Sequence, residues 1–283
     1  MRTLIAFLLA AGLFAAEVKT GVPAKNIQVL RFKSEALGEE RFASVLLPAD
    51  YEKSFRRYPT LYLLHGLGDD HTSWSYMTNL SGYAAAKDII IVMPDAGRSF
   101  YVNSAADPKA KFEDFIAKDL VAFMDSHFRT IPLPRARALA GLSMGGYGAA
   151  LIGLKHYRRF AAFASFSGAV GIAHDMPRTP AHAEAARRTA PMQALFGPAN
   201  SPERAARDPF ALLEKTPAAE MPGIYIACGA QDFLLAQNRE FVRLLAEKKI
   251  PYEYREVSPR AHTWDFWDDQ VKVFLDMLAK RWE

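Results

Sequence analysis

Apolar residues fall along this chain in short unbroken runs, separated by longer segments in which they recur every three or four positions. The runs Ile27–Phe32, Phe42–Leu47, Thr60–Leu64, Ile89–Met93, Ala138–Leu142, Ala162–Phe166, Ile224–Ala227 and Tyr252–Val257 read as strands. Several are apolar at successive positions, as expected of central strands covered on both faces. Between them, Phe112–Phe128 puts Phe112, Phe115, Ile116, Leu120, Phe123 and Met124 on one helical face. Gly146–His156, Leu235–Lys248 and Asp265–Trp282 also carry the helical pattern. Strands alternating with helices predict an α/β fold with a doubly wound, mostly parallel sheet. The first two strands have no helix between them, which predicts an antiparallel edge.

One stretch breaks this rhythm. Residues Ile172–Lys215 are rich in Ala, Arg, Pro and His and contain no strand signal. We read Pro180–Leu195 and Pro202–Glu214 as short helices of an insertion over one end of the sheet, where such segments either gate a pocket or simply pack. At the other extreme, Met1-Arg2-Thr3 and the apolar run Leu4–Ala16 have the form of a secretory signal peptide over residues 1–16, too short to span a bilayer. Cleavage there would leave a single catalytic domain over 17–283, exported to the periplasm or medium, with no stable membrane insertion.

Composition narrows the choices little further. Half of the 283 residues are hydrophobic and 23% are charged, which is globular rather than disordered. The formal charge of +4 comes without any run of basic residues, so nucleic acid is not an expected partner. The single Cys228 cannot form an intramolecular disulfide, and no clustered His or Cys suggests a metal site.

The chemistry concentrates in Gly141-Leu142-Ser143-Met144-Gly145, a G-x-S-x-G sequence between a predicted strand and a predicted helix. In so tight a turn the serine is strained, its neighbours must be small, and its hydroxyl is lifted above the sheet edge. A serine hydroxyl is a weak nucleophile, so it needs a base and a group to orient that base. Asp232 follows the strand Ile224–Ala227, and His262 follows the strand Tyr252–Val257, in the Ser, acid, His order of doubly wound hydrolases. The loop His65-Gly66-Leu67-Gly68 after Leu61–Leu64 offers the Leu67 N–H, and the helix start offers the Met144 N–H, as an oxyanion hole. Directly before Gly66, His65 is expected to brace that loop.

Extended to Gly141–Ala149 and joined by Leu64-His65-Gly66, Gly229–Leu234 and His262–Trp267, these motifs resemble the esterase D family, closest to its tributyrin esterase-like carboxylesterases. S-formylglutathione hydrolases, feruloyl and acetyl-xylan esterases and mycolyltransferases are wider relatives. The resemblance runs from about Phe42 to the C-terminus. It implies an α/β-hydrolase fold, Ser143 as nucleophile, His262 as base and Asp232 as orienting acid. It also implies a pocket bordered by Ser99-Phe100-Tyr101, with Tyr101 and Trp74 as substrate contacts. A secreted serine carboxylesterase acting on short-chain acyl or carbohydrate-linked esters is expected, with no metal or cofactor. The alternatives are an acyltransferase of the mycolyltransferase type, an S-formylglutathione hydrolase-like thioesterase, and a non-catalytic carbohydrate-binding module.

Overall fold

The computed structural model describes residues 26–174 and 191–283. The expected signal peptide and most of the expected helix Pro180–Leu195 lie outside them. All eight expected strands form: β1 Ile27–Ser34, β2 Glu39–Leu46, β3 Thr60–Leu64, β4 Ile90–Pro94, β5 Arg137–Leu142, β6 Ala162–Phe166, β7 Gly223–Gly229 and β8 Glu253–Val257. They make one sheet in the order β1-β2-β4-β3-β5-β6-β7-β8. As the missing first crossover predicts, β1 and β2 are antiparallel to their neighbours and the remaining strands are parallel.

Every residue of β3, β4, β5 and β6 is buried, which is why these segments read as unbroken apolar runs. Two layers of helix cover them. On one face lie α1 Ser73–Met77, α2 Leu80–Ala84 and a long C-terminal helix, Trp264–Trp282. The other face carries α3, built of Phe112–Asp114, a π-helical Phe115–Leu120 and Val121–His127, then α4 Met144–Lys155. Within the π-helical piece, Asp119 accepts hydrogen bonds from Ser34 Oγ at 2.6 Å and Ala36 N–H at 2.8 Å, tying α3 to the β1–β2 turn. No residue of α4 from Met144 to Leu154 is exposed, so this helix has no wet face and shows no amphipathic stripe.

The expected helix Pro202–Glu214 is two helices, α5 Pro202–Ala205 and α6 Pro209–Lys215. Pro209 has no N–H to continue a helix, and Asp208 before it accepts the Phe210 N–H at 2.9 Å, starting α6 afresh. A further helical segment spans 191–196. The described part of the insertion packs beside the C-terminal end of β4, through Ala105 N–H to Leu195 O at 3.0 Å and Phe196 against Phe100 and Tyr147. The last two helices, α7 Leu235–Glu247 and α8 Trp264–Trp282, lie close to their expected bounds. Among the described residues no helix is long and apolar enough to cross a membrane.

Candidate active site

The parallel strands deliver the chemistry-bearing loops to one edge of the sheet. Leu64, Leu142, Phe166, Gly229 and Val257 end β3, β5, β6, β7 and β8, and each is followed within a few residues by a polar group of the site. Ser143 occupies the turn between β5 and α4 with φ 52° and ψ −113°, a backbone conformation that side-chain-bearing residues rarely adopt. The strain is held from both sides. Ser143 N–H donates to Phe166 O at 2.9 Å, and Ser143 O accepts from Ala169 N–H at 3.1 Å and Tyr147 N–H at 3.0 Å.

Three of the expected residues form one hydrogen-bonded chain. His262 Nε2 lies 3.0 Å from Ser143 Oγ, and His262 Nδ1 lies 2.9 Å from Asp232 Oδ2. A carboxylate can only accept, so Nδ1 carries the proton and Nε2 is left with a lone pair facing the serine hydroxyl. The loops bearing the acid and the histidine are stitched together by Ala230 N–H to Val257 O and Gln231 N–H to Arg260 O, both 2.9 Å. Burial works against the Asp232 charge. The His262 hydrogen bond and charge, with the Ser167 hydroxyl and the Leu234 N–H at 2.8 Å, outweigh it and hold the carboxyl below its ordinary range.

Leu67 and Met144 flank this chain. Leu67 is 43% exposed and lines the cavity, whereas Met144, directly after Ser143, is buried and is not part of the cavity lining. Among the described residues neither N–H has an intramolecular acceptor. The Gly66–Leu67 peptide is fixed from its other side, since His65 Nδ1–H donates to Gly66 O at 2.8 Å. Its Nε2 in turn accepts the Ala96 N–H at 3.0 Å, so His65 braces the loop as expected.

With both ring nitrogens committed, His65 must stay neutral. Burial pushes its pKa below the ordinary histidine range, against the Gly66 carbonyl and the carboxylates of Asp95, Asp69 and Asp70. The unfolded chain takes up this proton near pH 6.5 and the folded protein does not. Stability from this residue is therefore present above about pH 6.5 and is lost as pH falls toward the depressed folded value. In urea titrations, His65→Gln is expected to flatten the decline in unfolding free energy between about pH 7 and 5.5; an unchanged decline would mean that His65 is protonated in the fold.

Two expected substrate contacts are corrected. Trp74 is fully buried, donates its indole N–H to Leu64 O at 3.0 Å, and packs edge-on against Trp264 and Phe166. Tyr101 is fully buried too, with φ 57° and its hydroxyl donating to His65 O at 3.0 Å. Both aromatic rings are consumed in supporting the Leu64–Gly66 segment and present nothing to a ligand.

The wall beside Ser143 is built instead by residues without an assigned role in the sequence reading. Phe233, 76% exposed, lies over the His262 ring at a centroid distance of 4.6 Å, and Trp267 meets that ring perpendicularly at 4.9 Å. They border a cavity of about 1010 Å³ that includes Leu67, Ser143, His262 and Trp264. Its charged lining is Asp69, Asp265, Asp268 and Asp269 against Arg260 alone, and Arg260 is ion-paired to Asp265 and Asp269. A basic chain thus has an acidic active-site mouth. Phe233 follows Asp232 directly, and that adjacency was the only signal for it. Among the described residues no group of three His, Cys, Asp or Glu side chains could hold a metal.

Comparisons with known proteins bear on the family and the fold. The model of the "Putative esterase" family matches residues 34–278. The chain is similar to an acetyl esterase of Caldicellulosiruptor saccharolyticus, at 29% identity covering 90% of this chain and 98% of that one. It is 31% identical to esterase Rv1288 of Mycobacterium tuberculosis over 89% of its own length but 58% of that protein's, so it spans little more than half of this relative. Among solved structures, the substrate-bound fluorophosphonate-binding serine hydrolase F of Staphylococcus aureus superposes with a TM-score of 0.76 at 26% identity, over 89% of this chain and 98% of the other.

Proposed function

Because the chain belongs to the Putative esterase family, we propose that it cleaves short-chain acyl or carbohydrate-linked esters through an acyl-enzyme on Ser143. It is a serine carboxylic ester hydrolase of the α/β-hydrolase fold; what is proposed is how it works and on which esters. The observation that carries the reading is the Ser143–His262–Asp232 chain, at 3.0 and 2.9 Å, whose Ser143 and His262 open into a cavity that Leu67 also lines.

In this mechanism His262 Nε2 takes the proton of Ser143 as Oγ attacks the ester carbonyl carbon. The carbonyl oxygen becomes an oxyanion facing the Leu67 and Met144 N–H groups, each contributing on the order of 3 kcal/mol to lowering the barrier. The imidazolium, stabilised by Asp232, then protonates the departing alkoxide. Water repeats the attack on the acyl-serine with His262 again as base, releasing a carboxylic acid and restoring the hydroxyl. Four carboxylates against the single Arg260 guanidinium leave the mouth net negative, which favours neutral esters over anionic ones in a partly enclosed cavity.

Hydrolysis of p-nitrophenyl esters from acetate to octanoate, with methyl ferulate and acetylated xylan alongside, tests the reading. Rates should peak on short acyl chains, and mono-p-nitrophenyl succinate should lag behind the butyrate ester at low salt by about tenfold. Inactivity of the folded protein on every ester would overturn the proposal. Export is supported by the Met1-Arg2-Thr3 start and the Leu4–Ala16 run, and N-terminal sequencing of protein recovered outside the cytoplasm would test it.

A further inference from the structure

Two aspartates stand side by side in the loop after β3, and their contacts differ. Asp70 is exposed and ties down the start of α1: its Oδ1 accepts the Thr72 N–H at 2.7 Å and the Thr72 hydroxyl at 2.6 Å, while its own N–H donates to Ser73 Oγ at 3.1 Å. Asp69 instead lines the active-site cavity together with Ser143 and His262. It is half-buried, and burial pushes its carboxyl above the ordinary aspartate range. Its negative charge also opposes the one that develops on the substrate oxygen in the same cavity. A carboxylate that is unfavourable on both counts calls for a compensating role.

Its hydrogen bonds supply that role. Asp69 Oδ2 accepts the Gly66 N–H at 3.1 Å, and Asp69 N–H donates to Gly66 O at 3.3 Å. One residue thus grips both polar groups of Gly66 and closes a four-residue turn whose third position, Gly68, has φ 92°. Glycine at 66 is what admits the carboxylate, since a Cβ there would lie 2.7 Å from Asp69 Oδ2. Two glycines in four positions leave the turn little stiffness of its own, so its shape must be imposed by bonds. Gly66 O, held by Asp69 N–H and by His65 Nδ1–H at 2.8 Å, belongs to the same planar trans peptide as the Leu67 N–H and points the opposite way. Whatever fixes Gly66 therefore aims the Leu67 donor.

We propose that Asp69 is a positioning residue of the oxyanion hole: by holding the Gly66 N–H, its side chain keeps the Gly66–Leu67 peptide turned so that the Leu67 N–H faces the developing oxyanion. The inference rests on the serine-hydrolase reading above. In this role Asp69 exchanges no proton and bonds no substrate atom; it acts through the backbone, and through its acceptor oxygen rather than its charge. Asparagine, whose side-chain carbonyl can accept the same N–H, should therefore replace it, and alanine should not.

The test is kcat and KM on p-nitrophenyl butyrate, with the inhibition constant of a propyl trifluoromethyl ketone, for wild type, Asp69→Ala, Asp69→Asn and Asp70→Ala. The ketone mimics the tetrahedral intermediate: Ser143 Oγ bonds its carbonyl carbon, the serine proton passes to His262, and the carbonyl oxygen becomes an oxyanion in the hole. Wild-type turnover and labelling of Ser143 by a fluorophosphonate establish the underlying reading; without them that reading fails, and this one with it. Given activity, Asp69→Ala is expected to lower kcat by roughly 10- to 100-fold with KM nearly unchanged, part of what losing a whole donor costs. Ketone binding should weaken by the same factor as kcat/KM. Asp69→Asn should stay within about threefold of wild type on both measures. Asp70→Ala removes the neighbouring carboxylate and its bonds to Thr72, so it should melt lower yet keep kcat within about twofold. Should Asp69→Ala not fold, Asp69→Ser, whose hydroxyl is too short to reach the Gly66 N–H, carries the same expectations. Wild-type kcat in Asp69→Ala, an asparagine variant as slow as the alanine one, an equal loss in Asp70→Ala, or a fall in kcat with unchanged ketone affinity would overturn the proposal.

Discussion

Replacing Ser143 with alanine is expected to lower kcat on p-nitrophenyl butyrate by about 10⁶-fold, with the binding of substrate little affected. The loss is of this size because in the proposed mechanism the hydroxyl is the only group that bonds covalently to the acyl group, and His262 and Asp232 have no other task to perform there once it is gone. Some acceleration over water should survive, since Leu67 and Met144 still offer their N–H groups and the cavity still orients the ester. Stability should move in the opposite direction to activity. Ser143 holds φ 52° and ψ −113°, and a residue in such a region carries strain of order 1–3 kcal/mol. Alanine keeps that strain, but Ser143→Gly relieves it, so the glycine variant should be inactive and more stable by about 1 kcal/mol. Steady-state kinetics and urea unfolding of the three proteins measure both effects. An active alanine variant would remove Ser143 from the chemistry, and a glycine variant no more stable than wild type would mean that the turn is not strained.

That strain marks the boundary of what the amino-acid pattern can express. The fold was legible because β3 to β6 are wholly buried, and a strand with no wet face leaves an uninterrupted apolar run. Even β8, whose Glu253, Arg255 and Glu256 are exposed at the sheet edge, was legible from its place between two helices. Ser143, Asp232 and His262 were legible because each follows a strand in an order that the doubly wound topology itself imposes, and the fold brings them to 3.0 and 2.9 Å. Trp74 and Tyr101 misled for a physical reason. Aromatics near a pocket look alike in sequence whether the ring faces a ligand or the core, and burial with the hydrogen bonds to Leu64 O and His65 O decides between them. Phe233 was legible only as the neighbour of Asp232, because it matters through a ring contact with His262, about 30 positions away. The division of the 202–215 segment at Asp208-Pro209 was in principle readable from proline alone.

The largest stability effect is expected from Gly145→Ala. A Cβ at Gly145 would lie 2.4 Å from Leu64 O, 2.7 Å from Leu64 C and 2.7 Å from His65 O, and all three atoms belong to the backbone. Side chains in an overpacked core can swing aside for about 1–3 kcal/mol, but here nothing can swing. Leu64 ends β3, which is hydrogen-bonded to β4 on one side and β5 on the other. The methyl group must therefore push α4 off the sheet or bend a central strand, at more than about 3 kcal/mol, a large share of the 5–15 kcal/mol that stabilises a typical protein. A fall in melting temperature of roughly 10 °C or loss of soluble protein is expected. Gly153→Ala is the comparison: the three nearest atoms to its Cβ would all belong to the Phe163 side chain, at 2.6 to 3.0 Å, and a side chain yields more readily than strand backbone. It should cost distinctly less in the same thermal scan. Whatever Gly145→Ala protein folds should also be slow, because the displaced Leu64–His65 backbone carries the loop of Gly66 and Leu67, and oxyanion donors moved by a fraction of an ångström no longer face the developing charge. Equal losses for the two glycines would mean that the strand end yields as readily as a side chain, and that the close approach of α4 to β3 is not what holds the nucleophile turn in place.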